Sequence, residues 1–515
     1  MAISRRHFFY GSLLAGAVPM GGFGSTPSLK MMGYKSPNEK LNVASIGCGG
    51  KASSDIAGCA TTENIVALCD VDDKQAANTF KRFEKAPKYR DFRVMLDKEA
   101  KNFDACIVTI PDHMHAVAAM ACMERGKHVY VQKPLVRTVW EARMMTEAAA
   151  KYGVATQMGN QGYSNEGTRQ CAEMVWDGEI GGVTEVHAWT NRPIWPQGVT
   201  EIPAPTPVPE TLDWDLWLGA AAPRPFTAGG EGYPAGYANG SFYQPSNWRG
   251  FYDFGCGSLG DMACHILGAP NLALHLSKRA PTSVECVKKE GVSSFMFPKQ
   301  MTIRFDFPAY GNMPALKLFW YDALKEQPKL PGVPDGEFLG DLPSPARPQG
   351  QAARGGGGRR GGNGGPQQVR HEGTGQVFEW AKQEALKENP PTRTEANGSL
   401  FIGEKGMITT GTYGENTRLI PVEKMHEYQF PQQVLSRSPG HYHDWIRACK
   451  GGEPACSNFS VAGPFVEWMV LGVAAVRMEG KLEWDSAKMK FTNNAEANKY
   501  VRPFYRKGWA PNWKG

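Results

Sequence analysis

The sequence predicts an α/β protein in two parts: an N-terminal doubly wound parallel sheet, then an α+β region with a large, open, mostly antiparallel sheet. Three observations predict it. Short apolar runs alternate with helix-length segments from Leu41 to Met158. Those runs are apolar on both faces, as strands covered by helices on either side must be. After about Gly162 the texture changes to proline-rich connections and strands that alternate residue by residue.

The elements follow in order. Val43 to Ile46, Ile65 to Cys69, Ala105 to Ile110, His128 to Val131 and Val154 to Met158 are the expected strands of the first sheet. Lys74 to Glu84, His115 to Arg125 and Val139 to Tyr152 carry helical spacing between them, and Gly126 and Gly153 stand where helices should stop. Farther on, Val183 to Thr190 and Met301 to Phe307 are expected strands. In the latter, Met301, Ile303, Phe305 and Phe307 alternate with Thr302, Arg304 and Asp306, the pattern of a sheet with one covered face. Ile202 to Pro209 and Pro223 to Pro234 are expected long loops, where binding groups tend to sit.

Composition narrows the function classes. A chain of 515 residues, 41% hydrophobic and 21% charged, fits a soluble protein with more than one domain. A net charge of +6 at this length implies neither a nucleic-acid nor a membrane surface. The 11 cysteines include no Cys-x-x-Cys pair, so neither a disulfide framework nor a metal site is expected.

Two segments stand outside the fold. Arg5-Arg6 ahead of the weakly apolar run from Gly11 to Phe23 resembles a twin-arginine export signal, assigned to residues 1–30 with a linker at 31–40. The run is too short and glycine-rich for a stable membrane span, though an uncleaved signal would leave an anchor. Residues 343–375, dominated by Gly, Pro, Gln and Arg, are expected to be a flexible surface insertion, since they lack the interleaved aromatics of an RNA-binding tract.

The chemistry starts at Gly47-Cys48-Gly49-Gly50. The turn follows a strand and opens a helix, the context that makes Gly-x-Gly a dinucleotide fingerprint and the first sheet a Rossmann domain, residues 41–162. Gly47 permits the tight turn, Gly49 and Gly50 let backbone approach a pyrophosphate, and small Ala52 takes the third glycine's place. Asp70 ends the second strand, where an acid binds the adenosine ribose. Asp72 and Asp73 add negative charge and no arginine is adjacent, which favours NAD over NADP.

Three further groups carry reactive side chains. Gln132-Lys133-Pro134 follows a strand, so Lys133 stands where ligand crevices open. Pro111 and His115 bracket a turn at another strand end, and His113 lies between them. Gly255 to His265 runs from a glycine-rich turn into a helix with Asp261 and His265 four apart, hence on one face, where the acid can orient the imidazole as a base. His441 and His443 precede a helix-like run and are expected to cap or pack.

Together these motifs resemble the Gfo/Idh/MocA oxidoreductases, and the resemblance covers nearly everything after residue 40. The family's dinucleotide turn is matched at Gly47, its Pro-x-x-x-His stretch at Pro111 and His115, its Glu-Lys-Pro motif at Gln132-Lys133-Pro134, and its Asp-x-x-x-His pair at Asp261 and His265. Gln132 departs from the usual glutamate and removes an expected charge partner of Lys133. Gly398 to Pro421, Ser438 to Lys450 and Lys481 to Trp509 look like the C-terminal domain of a bacterial branch with export signals. The resemblance implies a substrate and oligomerisation domain at 163–515, in a homodimer or homotetramer. It implies hydride transfer between NAD and a sugar or cyclitol carbinol, with His265 or Lys133 as proton acceptor and Pro111, His115 and Lys133 beside the cofactor. Gln161, Tyr163, Trp195, Trp248 and Arg249 are candidates for the sugar wall, since aromatics suit a pyranose face and amide or guanidinium its hydroxyls.

Export changes the expected use of the cofactor. A periplasmic enzyme cannot exchange NAD freely, so a tightly bound NAD recycled within each turnover is expected. That opens redox-neutral glycoside cleavage or epimerisation as an alternative to net oxidation, and a catalytically silent sugar-binding protein as an alternative of another class.

Overall fold

Val43, Ala44, Ser45 and Ile46 are all buried, so the strand they form can only sit inside a sheet. This strand, β1 (Asn42–Ile46), pairs in parallel with β2 (Asn64–Cys69) and with β4 (Ala105–Val108). Beyond them lie β3 (Lys88–Tyr89) on one side, and β5 (His128–Val131) and β6 (Thr156–Met158) on the other, all parallel. The order β3-β2-β1-β4-β5-β6 reverses between β1 and β4, and a crevice opens there outside the strands' C-terminal ends. The structure is a computed structural model that describes residues 39–229, 241–342, 397–426 and 428–513. The expected export signal at 1–30, most of the expected linker and the expected insertion at 343–375 lie outside the described residues.

Helices Gly50–Cys59, Asp73–Arg82, His115–Met123 and Val139–Tyr152 fall where expected, the last N-capped by the Thr138 side chain. The run expected to reach Ile110 leaves the sheet at Val108, because Thr109 turns toward the glycine loop, its N–H bonded to Ile46 O. Two elements were not expected: β3, and helix Phe92–Glu99, capped by Asp91.

With β8 (Ser283–Glu290), β11 (Gly398–Gly403), β12 (Met407–Thr410), β13 (Arg418–Ile420) and β14 (Leu482–Asp485), the second sheet has nine strands among the described residues, in the order β13-β12-β11-β7-β10-β9-β8-β14-β15. Only β7 (Val183–Trp189) and β10 (Leu316–Tyr321) pair in parallel, so the sheet is mostly antiparallel as expected. In β9 (Gln300–Phe307) the alternate residues Met301, Ile303, Phe305 and Phe307 are buried. Helix Phe459–Met469 covers them, setting Trp468 edge-on to Phe305 and Phe307 at 5.2 and 5.3 Å. The same helix ties the two sheets together through the Arg143–Glu467 ion pair. From β15 (Lys490–Phe491) the chain runs back over the first sheet's helices. Val501 O accepts from Trp140 N, Tyr505 donates to Glu141, and the guanidinium of Arg506 clasps Asp215. Trp509 packs on Phe92 under Arg93, whose guanidinium is 4.2 Å from its ring. All eleven cysteines are free thiols, and among the described residues no helix is long and apolar enough to cross a membrane.

Candidate active site

The glycine turn is fixed from below. Gly47 has φ +93° and a side chain there would meet Thr109 O at 2.0 Å; one at Gly49 would meet the Gln75 backbone at 2.8 Å. No side chain caps helix Gly50–Cys59, which leaves its first amides open to an anion. Asp70 accepts from Cys48 N at 2.7 Å, Gly49 N at 3.3 Å and Asp72 N at 3.0 Å, so it organises the turn and lines the crevice with it. Burial outweighs those bonds and pushes its carboxyl up to about 6. Capping of the next helix falls to Asp72, which accepts from Lys74 N and Gln75 N. The fold also supplies an arginine that the sequence order hid: Arg90, after β3, lines the crevice with its guanidinium bonded to Asp73.

The crevice is roofed. Helix Trp214–Leu218 contributes Leu216 and Trp217 to its lining, and Pro245, Trp248 and Arg249 extend the wall. Two backbone bonds seal the edge, Asp73 N to Thr211 O at 3.0 Å and Asp213 N to Val71 O at 2.9 Å.

At the end of β5, Lys133 donates to Asp261 O at 2.6 Å and Asp261 Oδ1 at 2.7 Å, and Arg249 Nε donates to the same Oδ1 at 3.2 Å. Burial alone would raise the Asp261 carboxyl, but the two cations hold it well below the usual carboxylate range. The charge partner that Gln132 appeared to remove is therefore present: it is Asp261. The expected Asp261–His265 pair does not form. Asp261 lies in a π-helical turn, Leu259–Ala263, and its carboxylate is already held by Lys133 and Arg249. His265 instead lies edge-on to Tyr413 at 4.8 Å, with Nδ1 buried and unpartnered. Burial, then the nearby Lys133 ammonium, hold its pKa well below the ordinary value, so the ring is neutral at pH 7.

The other expected residues divide. Pro111 lines the crevice, whereas His115 is sealed beneath it, its ring nitrogens 2.8 Å from Ile110 O and Pro134 O. Both its neighbours are backbone, so His115 braces the two strand-end loops and does not face a cofactor; burial brings its pKa to about 4. His113 likewise braces the roof at Trp217 O and Leu218 O. Trp248 and Arg249 face the crevice, and Trp195 is buried behind Arg249 with its indole N–H on Gln197. Gln161 accepts from Lys51, also a crevice residue. Tyr163 is a core residue, packed on Phe465 with its hydroxyl accepting from Asn271, and offers no surface to a sugar. His441 packs as expected, between Tyr130 and Ser164. Two groups were missed: Tyr413, and buried Asp112, whose carboxyl is raised to about 7 by burial against the pull of Arg249 and Lys133. Tyr413 lies in a loop without a motif, and Asp112 was overshadowed by the histidines beside it.

Gln132 has a physical reason. Buried Asp55 accepts from Lys51, Thr109, Tyr442 and, at 2.9 Å, from Gln132 Nε2. A glutamate there would oppose two carboxylates. Gln132→Glu is expected to lower stability by about 2 kcal/mol at pH 7 in urea unfolding. The introduced carboxyl has a raised folded-state pKa, so the penalty shrinks as the pH falls toward 5 and it protonates; equal stability at pH 7 would contradict this account.

Known proteins share this plan. Residues 41–160 match an oxidoreductase family with an NAD-binding Rossmann fold, and residues 180–295 match that family's C-terminal alpha/beta domain. Inositol 2-dehydrogenase of Salmonella typhimurium strain LT2 is 28% identical over 160 residues, 30% of this chain and 46% of that protein. A glycosyl hydrolase family 109 protein of Solibacter usitatus is 27% identical over 183 residues, 33% of this chain and 41% of that protein. The chain thus spans less than half the length of these relatives. The WlbA dehydrogenase from Chromobacterium violaceum, solved with NADH and UDP-GlcNAcA, shares the fold with a TM-score of 0.52 at 13% identity, over 87% of this chain and 97% of that one. With both halves of the fold matched in this order, the chain belongs to the Gfo/Idh/MocA family of NAD-binding oxidoreductases.

Proposed function

We propose that the protein oxidises or reduces a carbinol carbon of a sugar or cyclitol, using NAD held in the roofed crevice. The observation that carries this reading is the convergence of Lys133, Asp261, Arg249 and neutral His265 at the end of β5. NAD, when bound, supplies a two-electron acceptor at its nicotinamide. The turn at Gly47 to Gly50 and the open helix N-terminus suit its pyrophosphate, and Asp70 suits its adenosine ribose. NAD is preferred to NADP because Asp70 opposes a ribose phosphate and Arg90 is already bonded to Asp73. At the reacting end, Lys133 sets a cation beside the substrate oxygen, where it favours the developing negative charge. Neutral His265 has a ring nitrogen free to take the hydroxyl proton. Asp261 positions Lys133, and Arg249 keeps that carboxylate ionised.

A second reading has support of its own. One relative is named a glycosyl hydrolase, and the roof over the crevice suits a cofactor that stays bound. Redox-neutral chemistry would oxidise a carbinol and let the acidified neighbouring C–H lose its proton. Epimerisation regains a proton on the other face, whereas cleavage expels the glycosidic oxygen as an alcohol and adds water in its place; the hydride then returns. Export of a folded, NAD-loaded chain to the periplasm, as the Arg5-Arg6 pair suggests, belongs to the same proposal, as does assembly into a homo-oligomer. Native mass spectrometry of the purified chain is expected to find about one NAD per chain, with sugars altering its fluorescence and turnover proceeding without added cofactor. An empty protein that needs stoichiometric NAD would leave simple dehydrogenation standing. An empty protein with no affinity for NAD and no response to any sugar would remove both readings.

A further inference from the structure

Four cations surround a pocket that shares no lining residue with the nucleotide crevice. Arg137, Arg477, Lys499 and Arg502 line it, together with Tyr252, Tyr500 and Phe504. Asp253 is the one carboxylate among its described lining residues, and it is bonded to Arg224. Lys499 pairs with Glu496 at the surface, whereas no described carboxylate pairs with Arg137, Arg477 or Arg502.

The arginines are held without an anion. The Arg477 guanidinium lies between two rings, 3.9 Å from the Tyr252 centroid and 4.4 Å from that of Tyr500, and its Nε is buried with no partner. Arg137 also has a buried, unpartnered Nε, and its Nη1 makes only a long 3.4 Å bond to Tyr252 O. Arg502 lies over Trp140 at 5.3 Å on the exposed side. Stacking on aromatic faces and a bond to the Tyr500 hydroxyl partly offset the burial of the Arg477 guanidinium but leave its Nε–H unsatisfied. Burial, only partly offset by the two tyrosines and by Asp253, draws the Arg477 pKa down. A planar N–H fork is the natural partner of a two-oxygen anion.

We propose that this pocket binds an oxyanion, phosphate or carboxylate, carried on a sugar-sized body. The guanidinium groups of Arg137, Arg477 and Arg502 take the charge, and Tyr252, Tyr500 and Phe504 flank the remainder. The site is independent of the hydride-transfer reading, because none of its residues belongs to the Lys133 cluster.

The test is calorimetric titration of the NAD-saturated full chain at low ionic strength, with inorganic phosphate and, separately, with glucuronate. Saturating NAD keeps phosphate from the glycine turn. One saturable site per chain is expected, weakened about tenfold or more by Arg477→Gln and by Arg502→Gln but not by Lys317→Gln, a control on the exposed side of β10. Tighter phosphate binding assigns a phosphate ester, and tighter glucuronate binding a carboxylate; either supports the site. No saturation with either probe, or equal binding in the arginine variants, overturns it. If Arg477→Gln does not fold, Arg502→Gln and Lys499→Gln, both at exposed positions, decide the matter.

Discussion

Lys133→Ala is expected to lower turnover about a thousandfold while the protein keeps its nucleotide. The ammonium does two things that alanine cannot: in the proposed reaction it meets the substrate oxygen, and it neutralises Asp261 through contacts of 2.6 and 2.7 Å. Without it, Asp261 retains only the longer bond from Arg249 at 3.2 Å, and burial then drives its carboxyl upward. The change therefore has a stability signature as well. Asp261 has a depressed folded-state pKa, so its pairing stabilises the fold above the ordinary carboxylate pKa and is lost as the pH falls. Removing Lys133 should cost about 2 kcal/mol at pH 7, a penalty that begins to shrink below about pH 4 and is only partly lost at pH 3, read by urea unfolding at both values. His265→Ala should reduce turnover similarly without that pH-dependent loss, because its ring is neutral and makes no bond to Asp261. Near-normal rates in both variants would sink the catalytic assignment.

Gly47→Ala is expected to damage both fold and cofactor site, by about 3 kcal/mol or more. The added carbon would lie 2.0 Å from Thr109 O and 2.8 Å from Thr109 C, both backbone, in a residue already at φ +93°. Relief requires β1 and β4 to part at the point where the crevice opens. Gly50→Ala, in the same turn, offers the comparison: φ is +49° with nothing within 4 Å, so only the backbone preference of about 1 kcal/mol is at stake. Nucleotide retained after purification should be lost in the first variant and kept in the second. Equal retention would mean that the turn is not what holds the dinucleotide.

How far the sequence carries these conclusions depends on the range of the interaction. β1, β2 and β5 announce themselves because burial on both faces is written in consecutive residues. Two-residue β3 is too short for any period, and with it Arg90 was hidden from the crevice. Lys133 and Asp261 could each be found in a local motif, but their contact spans 128 positions. The expected Asp–His pair was lost to two cations, Lys133 and Arg249, which come from segments distant in sequence or in another turn. His115 shows the opposite failure: its motif was genuine, yet whether a strand-end imidazole faces a ligand or two carbonyl oxygens is decided by loops from different strands. Gln132 looked like a lost charge until Asp55, from another helix, supplied the reason for an amide.

The strap formed by Val501 to Trp509 bears on the order of events during synthesis. Arg506 grips Asp215 beneath the roof helix, and Trp509 presses on Phe92, a crevice residue. Those contacts are translated after every strand of both sheets. All strands of both sheets can therefore form before the segment that fastens the Trp214–Leu218 helix and Phe92 in place.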